Sequence, residues 1–273
     1  MSGAPGSSLG APRPDGVPAS ADDLAALALV NYGHFTTVRL ERGGVRGLGL
    51  HLDRLARDCA AQFDVRLDID RVRGLARRLA ARVDPPAMLR ITVFDPGLTV
   101  VRPGAQARPR VLVSVRPAEP PASSPVRLHA VCHRRDLPEV KHVGLFGAVR
   151  QRRLAQRAGF DDVLFVDSDG RVSEGATWNI GFVMVGEVWW PAADCLPGVT
   201  ARLLDGVLAG MGTPVRREPI RVGDLPAECT AFVTSAGVGI RPVAAIDDRP
   251  LAAERALLER PRAGYEAIPP EPF

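Results

Sequence analysis

The chain has 273 residues, of which 46% are hydrophobic, with 35 basic and 31 acidic residues and a formal net charge of +4. That length holds one large domain or two smaller ones, and no apolar run is long enough to cross a bilayer, so no membrane partner is expected. The basic excess is small, acidic residues are interleaved throughout and aromatics are only 5%, which argues against nucleic-acid binding even at a sequence pI near 9.2.

Residues 1–20 are mostly Gly, Ala, Pro and Ser with the single basic Arg13. They lack the charged start and apolar core of a signal peptide and are expected to form a disordered leader. A small N-terminal α+β domain is expected over 21–115. Phe35 to Leu40 alternates and is rich in β-formers, Gly43 and Gly44 follow, and Val45 to Leu50 would complete a hairpin. From His51 to Phe63 the spacing of Leu52, Leu55, Cys59 and Phe63 predicts a helix. A second helix is expected from Asp68 or Asp70, either of which could cap it, to about Val83. Met88 to Phe94 and Val111 to Val115 read as strands, and 116–125 (RPAEPPASSP) reads as a linker.

A larger C-terminal domain is expected over 126–260. It begins with a strand from Val126 to Cys132, and a helix from about Leu145 to Ala158 is closed by Gly159. Asp162 to Asp167 and Arg171 to Glu174 flank the turn Ser168-Asp169-Gly170 as a second hairpin. Further strands are expected at Trp178 to Val185, Val188 to Trp190, Ala231 to Thr234 and Ile240 to Ile246, giving an α+β fold. The proline-rich stretch 261–273 is expected to be a flexible tail.

Cys59, Cys132, Cys195 and Cys229 form no CxxC pair, which suits a reducing cytoplasm better than a disulfide scaffold. The five histidines make no HExxH, so no metal site is expected; GxSxG, Walker and GxGxxG loops are also missing.

Lys141 is the only lysine; the other 34 basic residues are arginine. A guanidinium carries charge as well as an ammonium does, but it does not lose its proton to attack a carbonyl. Lys141 lies in LPEVKHVGLFG, just before a predicted helix, and Glu174 ends a hairpin strand thirty-three residues later. LPGVT then leads into a helix near Thr200, and Arg54 lies upstream in HLDRL. Pyridoxal phosphate needs an amine for its aldehyde, a partner for its ring nitrogen and a cradle for its phosphate. Lysine, a carboxylate, a Gly turn at a helix N-terminus and an arginine are residues of those types.

The chain resembles the class IV aminotransferase family, whose fold-type IV architecture serves branched-chain and D-amino-acid aminotransferases and 4-amino-4-deoxychorismate lyase. The resemblance runs from about Asn31 to Ile246 on NYGHFTTVRL, HLDRL, VKHVGLFG, DDVLFVDSDGRVSEGATWNIGF, LPGVTARLL and AFVTSAGVGIRPV. It implies a two-domain fold-type IV enzyme in which Lys141 forms a Schiff base with pyridoxal 5'-phosphate and later shuttles protons. It implies further that Glu174 pairs with the pyridine nitrogen and Arg54 holds the phosphate. Val199 and Thr200 would contact the phosphate at the helix start, and Ser235 and Ala236 would close the phosphate and substrate side. A homodimer, with the site between the domains near the dimer interface, is implied as well. Arg134 and Arg135 are open to two readings, an approach to an acidic substrate or a solvated surface.

The resemblance leaves two reactions. One is transamination between a small amino acid and a 2-oxo acid. The other is lyase chemistry, releasing pyruvate from aminodeoxychorismate to give p-aminobenzoate, which Thr37 in GHFTT and the Lys141–Glu174 interval resemble. Phe146 stands five residues after Lys141, where branched-chain enzymes usually carry a tyrosine. The apolar KHVGLFG and the absence of an asparagine from TSAGVG tell against the lyase. A basic, non-catalytic binding protein on the same fold is the alternative from a different class.

Overall fold

The computed structural model describes residues 13–120, 124–252 and 255–273. It divides into two compact units, the first ending at Glu119 and taking in Pro270–Phe273, the second spanning Pro120–Pro269.

The first unit comprises β1 (Arg13–Pro14), α1 (Ala21–Leu29), β2 (Gly33–Glu41), β3 (Gly44–Val45), α2 (Leu48–Phe63), α3 (Ile69–Ala80), β4 (Ala87–Phe94) and β5 (Arg110–Pro117). Its sheet is antiparallel in the order β1-β5-β4-β2-β3. Strand alternation sends Val38 and Leu40 of β2, Leu89, Ile91 and Val93 of β4, and Val111, Val113 and Val115 of β5 into one core. Leu48, Leu52, Leu55, Cys59 and Phe63 form the buried stripe of α2 that closes it. Burying each of the large side chains contributes roughly 1.5–3 kcal/mol. Asp68, one of the two candidate caps, is the N-cap of α3 and accepts from Arg71 N at 2.9 Å.

Three expectations change here. The hairpin's return strand is only two residues long, because α2 begins at Leu48 and takes Leu48 and Leu50 into its first turn. Residues 1–12 of the expected leader lie outside the described residues, but 13–20 are structured. β1 pairs with β5, and Ser20 caps α1 in a reciprocal box with Asp23. The expected flexible tail is structured too. α6 (Arg255–Glu266) runs through Pro261, and Val45 and Glu271 then exchange backbone hydrogen bonds at 2.9 and 2.8 Å. Gly44 explains that close pass: its φ is +136°, and a Cβ would lie 2.0 Å from the Glu271 carbonyl oxygen.

The second unit contains β6 (Val126–Cys132), α4 (Phe146–Arg157), β7 (Asp162–Val166), β8 (Val172–Gly175), β9 (Asn179–Met184), β10 (Glu187–Pro191) and α5 (Val199–Gly210). After these come β11 (Val215–Glu218), β12 (Thr230–Ser235), β13 (Gly239–Ile246), β14 (Arg249–Pro250) and α6. The sheet runs β11-β10-β9-β12-β13-β6-β7-β8, with β14 on β13. It is mixed: β6 is parallel to both β13 and β7, and β10 is parallel to β11. Residues 121–123 of the expected linker lie outside the described residues. Among the described residues no helix is long and apolar enough to cross a membrane.

His34 on β2 is fully buried, neither ring nitrogen has a hydrogen-bond partner among the described residues, and burial pulls its pKa down to about 3. The folded chain therefore keeps it neutral while the unfolded chain takes up a proton below about pH 6.5. Stability from this group is present above that pH and is lost as pH falls toward the folded pKa. Between about pH 6.5 and pH 5 the loss is roughly 2 kcal/mol. His34→Leu is expected to shrink the gap between urea stabilities at pH 7 and pH 5 by about that amount; an unchanged gap would contradict the assignment.

Candidate cofactor site

Lys141 lies between β6 and α4, half-buried, directly after the fully buried Val140. Leu137 has a left-handed φ of 44°, and Val140 N donates back to the Leu137 carbonyl at 3.0 Å, so the chain turns immediately before the lysine. Arg135 secures this turn. Its Nη2 donates to the Val140 carbonyl oxygen at 2.8 Å, and its Nη1 donates to Glu174 Oε1 at 3.0 Å. One half-buried guanidinium thus joins the peptide next to Lys141 to the carboxylate at the end of β8.

Glu174 Oε2 accepts from Leu196 N at 3.2 Å, and the Leu196 carbonyl accepts from Asn179 Nδ2 at 2.9 Å. Asn179 Oδ1 occupies the space a Cβ on Gly198 would need, only 2.0 Å away. Gly198 is the N-cap of α5, extended at φ −66°, with no side-chain cap. The first turn of a helix offers backbone N–H groups without intrahelical acceptors. Thr200 lies in that turn, and its buried Oγ1 has no hydrogen-bond partner among the described residues. A continuous path therefore runs from Lys141 through Arg135, Glu174, Leu196 and Asn179 to the start of α5.

β12 places a second turn beside this path. Thr234 is in register with Asn179, and Ser235 opens a turn in which Val238 N donates to the Ser235 carbonyl at 3.1 Å. The Thr234 hydroxyl is buried and also lacks a partner among the described residues. Ser235 and Ala236 are half-buried in the turn itself.

Burial pushes the Glu174 carboxyl above its ordinary range, while Arg135, the Leu196 N–H and Lys141 pull it back down. The two adjacent arginines have separate roles. Arg134 is exposed and pairs with Asp194 at 2.7 Å; Arg135 is half-buried and pairs with the buried Glu174 at 3.0 Å. Phe146 opens α4 with 79% of its surface exposed.

Arg135→Met removes the guanidinium from Glu174, so the carboxyl rises further. A carboxyl pKa raised by folding gives stability that is present below the unfolded value and lost as pH rises through the folded one. The variant should therefore lose more stability relative to wild type at pH 8 than at pH 5, as measured by urea unfolding. An equal loss at both pH values would contradict the pairing.

Arg54, Thr36 and Thr37 belong to the first unit. Arg54 on α2 is 5% exposed and donates from Nη2 to Thr36 Oγ1 at 2.6 Å; its Nε has no hydrogen-bond partner among the described residues. Thr37 is the next residue on β2 and points to the opposite face of the sheet, so Arg54 and Thr37 do not share a face. Across the strands Thr37 faces Arg90 of β4, which composition does not single out. Arg90 stacks its guanidinium 3.5 Å from the Phe35 ring centre and donates from Nε to Thr92 Oγ1 at 3.2 Å. It has no carboxylate partner among the described residues, and burial lowers its pKa.

Comparison with known proteins adds the family. The amino-transferase class IV model matches residues 33–246. The chain belongs to that family. A probable branched-chain-amino-acid aminotransferase of Synechocystis is 28% identical over 116 residues, covering 42% of this chain and 38% of the relative. A putative one of Methanocaldococcus jannaschii is 31% identical over 114 residues, covering 41% and 40%. These alignments thus span well under half of the relatives' length. Among solved structures, the branched-chain aminotransferase of the archaeon Thermoproteus uzoniensis with norvaline has a TM-score of 0.84 at 18% identity, covering 95% of each chain. A T.th. branched-chain amino acid aminotransferase, solved with pyridoxamine 5'-phosphate, also has a TM-score of 0.84, at 17% identity, covering 96% of this chain and 94% of that one. A fold IV-transaminase of Curtobacterium pusillum has a TM-score of 0.73 at 25% identity, covering 87% of each chain. The two-domain fold-type IV α+β architecture expected from the resemblance is thus the observed one.

Proposed function

We propose that this family member is a pyridoxal 5'-phosphate-dependent aminotransferase, moving an amino group between a small amino acid and a 2-oxo acid through Lys141. The observation that carries this reading is the hydrogen-bonded path from the Val140 carbonyl through Arg135, Glu174 and Leu196 to Asn179, whose Oδ1 lies against Gly198 at the start of α5. The residues fit the group. Arg54 Nε and Thr200 Oγ1 are buried polar atoms that lack partners among the described residues, and both suit a phosphate. Glu174 suits a ring nitrogen, and Val199, Ser235 and Ala236 are assigned to the phosphate and substrate side. When bound, the cofactor supplies an aldehyde for the lysine amine and an electron sink for a substrate carbanion.

The chain's own residues do the rest. Glu174, whose carboxyl burial raises and Arg135 pulls back down, would face the ring nitrogen and hold a proton there. Lys141 would carry a proton to and from the substrate carbon. Arg90, a half-buried cation opposite Thr37, is assigned to a substrate carboxylate, with Thr37 beside it. Phe146 supplies no hydroxyl. The free state of all four cysteines favours a reducing, cytoplasmic setting, and the family resemblance favours a homodimer.

The relatives named above are aminotransferases, which favours transfer over pyruvate elimination; Lys141, Glu174 and Arg135 held together argue against a non-catalytic binder. The test incubates the full chain and pyridoxal 5'-phosphate with leucine, isoleucine, valine and alanine as donors and 2-oxoglutarate as acceptor. A parallel arm supplies aminodeoxychorismate and measures pyruvate. New oxo acid with matching glutamate is the expected result. Pyruvate release without amino transfer would overturn it in favour of the lyase.

A further inference from the structure

Arg54 is a buried cation whose hydrogen-bond partners are neutral. Its Nη2 donates to Thr36 Oγ1 at 2.6 Å and lies 3.5 Å from His51 Nδ1. Thr36 Oγ1 and His51 Nδ1 are 2.7 Å apart. All three side chains are at most 5% exposed, and α2 supplies two of them three residues apart, on its buried face.

Proton counting sets the direction of this chain. A guanidinium has donors only. The threonine oxygen accepts from Arg54 and still has one hydrogen to place. In a buried site that hydrogen needs an acceptor, and His51 Nδ1 is within reach. An Nδ1 bearing its own hydrogen would leave the threonine hydrogen without this acceptor and would face Arg54 donor to donor. His51 is therefore the neutral ring with its proton on Nε2. Asp58, one turn further along α2, pairs with Arg57 at 2.7 Å and acts on Arg54 through its field. A carboxylate bonded directly to Arg54 would occupy the donors that an anion needs; a hydroxyl backed by a neutral imidazole orients the guanidinium and leaves its charge intact.

We propose that Thr36 and His51 are positioning residues that hold Arg54, through the donor chain Arg54 to Thr36 to His51, as a cation ready for the cofactor's phosphate. This rests on the assignment of Arg54 to phosphate in the proposed function. It gives the first threonine of GHFTT a role separate from that of Thr37 on the other face, and it gives the histidine of HLDRL a defined tautomer.

The test measures binding of pyridoxal 5'-phosphate and of pyridoxal to the full chain, in wild type and in Thr36→Val, Thr36→Ser and Arg54→Met, with ¹⁵N NMR of the histidine rings. Thr36→Val should lower the preference for the phosphorylated form about tenfold, in keeping with loss of a hydrogen bond to a charged group, and leave pyridoxal binding unchanged. Thr36→Ser should restore the preference, and His51 should show the Nε2–H tautomer. An unchanged preference in Thr36→Val, a serine variant as impaired as the valine one, or an Nδ1–H tautomer would each overturn the positioning role. If Arg54→Met leaves the preference untouched, the phosphate assignment itself falls, whatever Thr36 does.

Discussion

Lys141→Arg is expected to abolish amino transfer, with a loss on the order of 10⁴-fold or more in kcat/KM, because it removes both the proposed nucleophile and the proposed proton carrier. Arginine is the informative replacement. It keeps a positive charge near Glu174, so the electrostatic surroundings of the carboxylate survive, yet a guanidinium does not deprotonate near neutral pH. The lysine is half-buried beside a turn held by Arg135, so the fold should tolerate the change, with a melting temperature close to that of wild type. No other lysine exists to substitute. Steady-state assay with the best donor checks the expectation; activity within about tenfold of wild type would contradict it.

Gly198→Ala is expected to weaken cofactor binding about 5- to 150-fold, the range for overpacking that costs roughly 1–3 kcal/mol. The backbone is not the obstacle, since φ −66° and ψ 135° suit alanine. Space is. The new Cβ would lie 2.0 Å from Asn179 Oδ1 and 3.1 Å from its Cγ. To make room, Asn179 must release the Leu196 carbonyl, and Leu196 N is the donor that holds Glu174 Oε2. The clash at the helix start therefore reaches Glu174, the carboxylate proposed for the ring nitrogen. Asn179→Ala on the Gly198→Ala background removes the clashing oxygen and should recover part of the affinity. Equilibrium dialysis of pyridoxal 5'-phosphate against wild type and both variants decides it; wild-type affinity in Gly198→Ala would contradict the packing argument.

Most long elements are legible in the sequence because their burial pattern is strong. Phe35 to Leu40 of β2 alternates, β4 and β5 are short apolar runs, and α2 and α3 carry apolar stripes at helical spacing. The elements that sequence reading misses have weaker or conflicting signals. α1 (ADDLAALAL) is apolar on most sides, so periodicity does not mark it; the Ser20–Asp23 box is its best sign. α6 reads as a tail because Pro261 removes a backbone donor and ordinarily ends a helix. The helix continues because Leu258 and Tyr265 are buried on either side of that proline. Val45 to Leu50 looks like a strand because it follows Gly43 and Gly44 and opens on β-branched Val45, but Leu48 is needed in the core face of α2.

The site is legible in its residue types and illegible in its wiring. Lys141, Glu174 and the LPGVT turn can be named from the chain. Arg134 and Arg135 cannot be told apart, because neighbouring side chains in non-helical backbone face different surroundings, and only the fold shows which one is half-buried. Thr36 and Thr37 pose the same difficulty: a strand sends adjacent hydroxyls to opposite faces, so one meets Arg54 and the other meets Arg90. Asn179 cannot be seen as the residue that holds Gly198, since the contact spans β9 and the start of α5.

Lys141 is the amine proposed to bond the cofactor. Borohydride reduction of the full chain saturated with pyridoxal 5'-phosphate, followed by peptide mass spectrometry, tests it directly. The expected result is one phosphopyridoxyl group per chain, on the peptide containing Lys141, with no label in Lys141→Arg. Label at the α-amino group alone, or equal labelling of the arginine variant, would contradict the account.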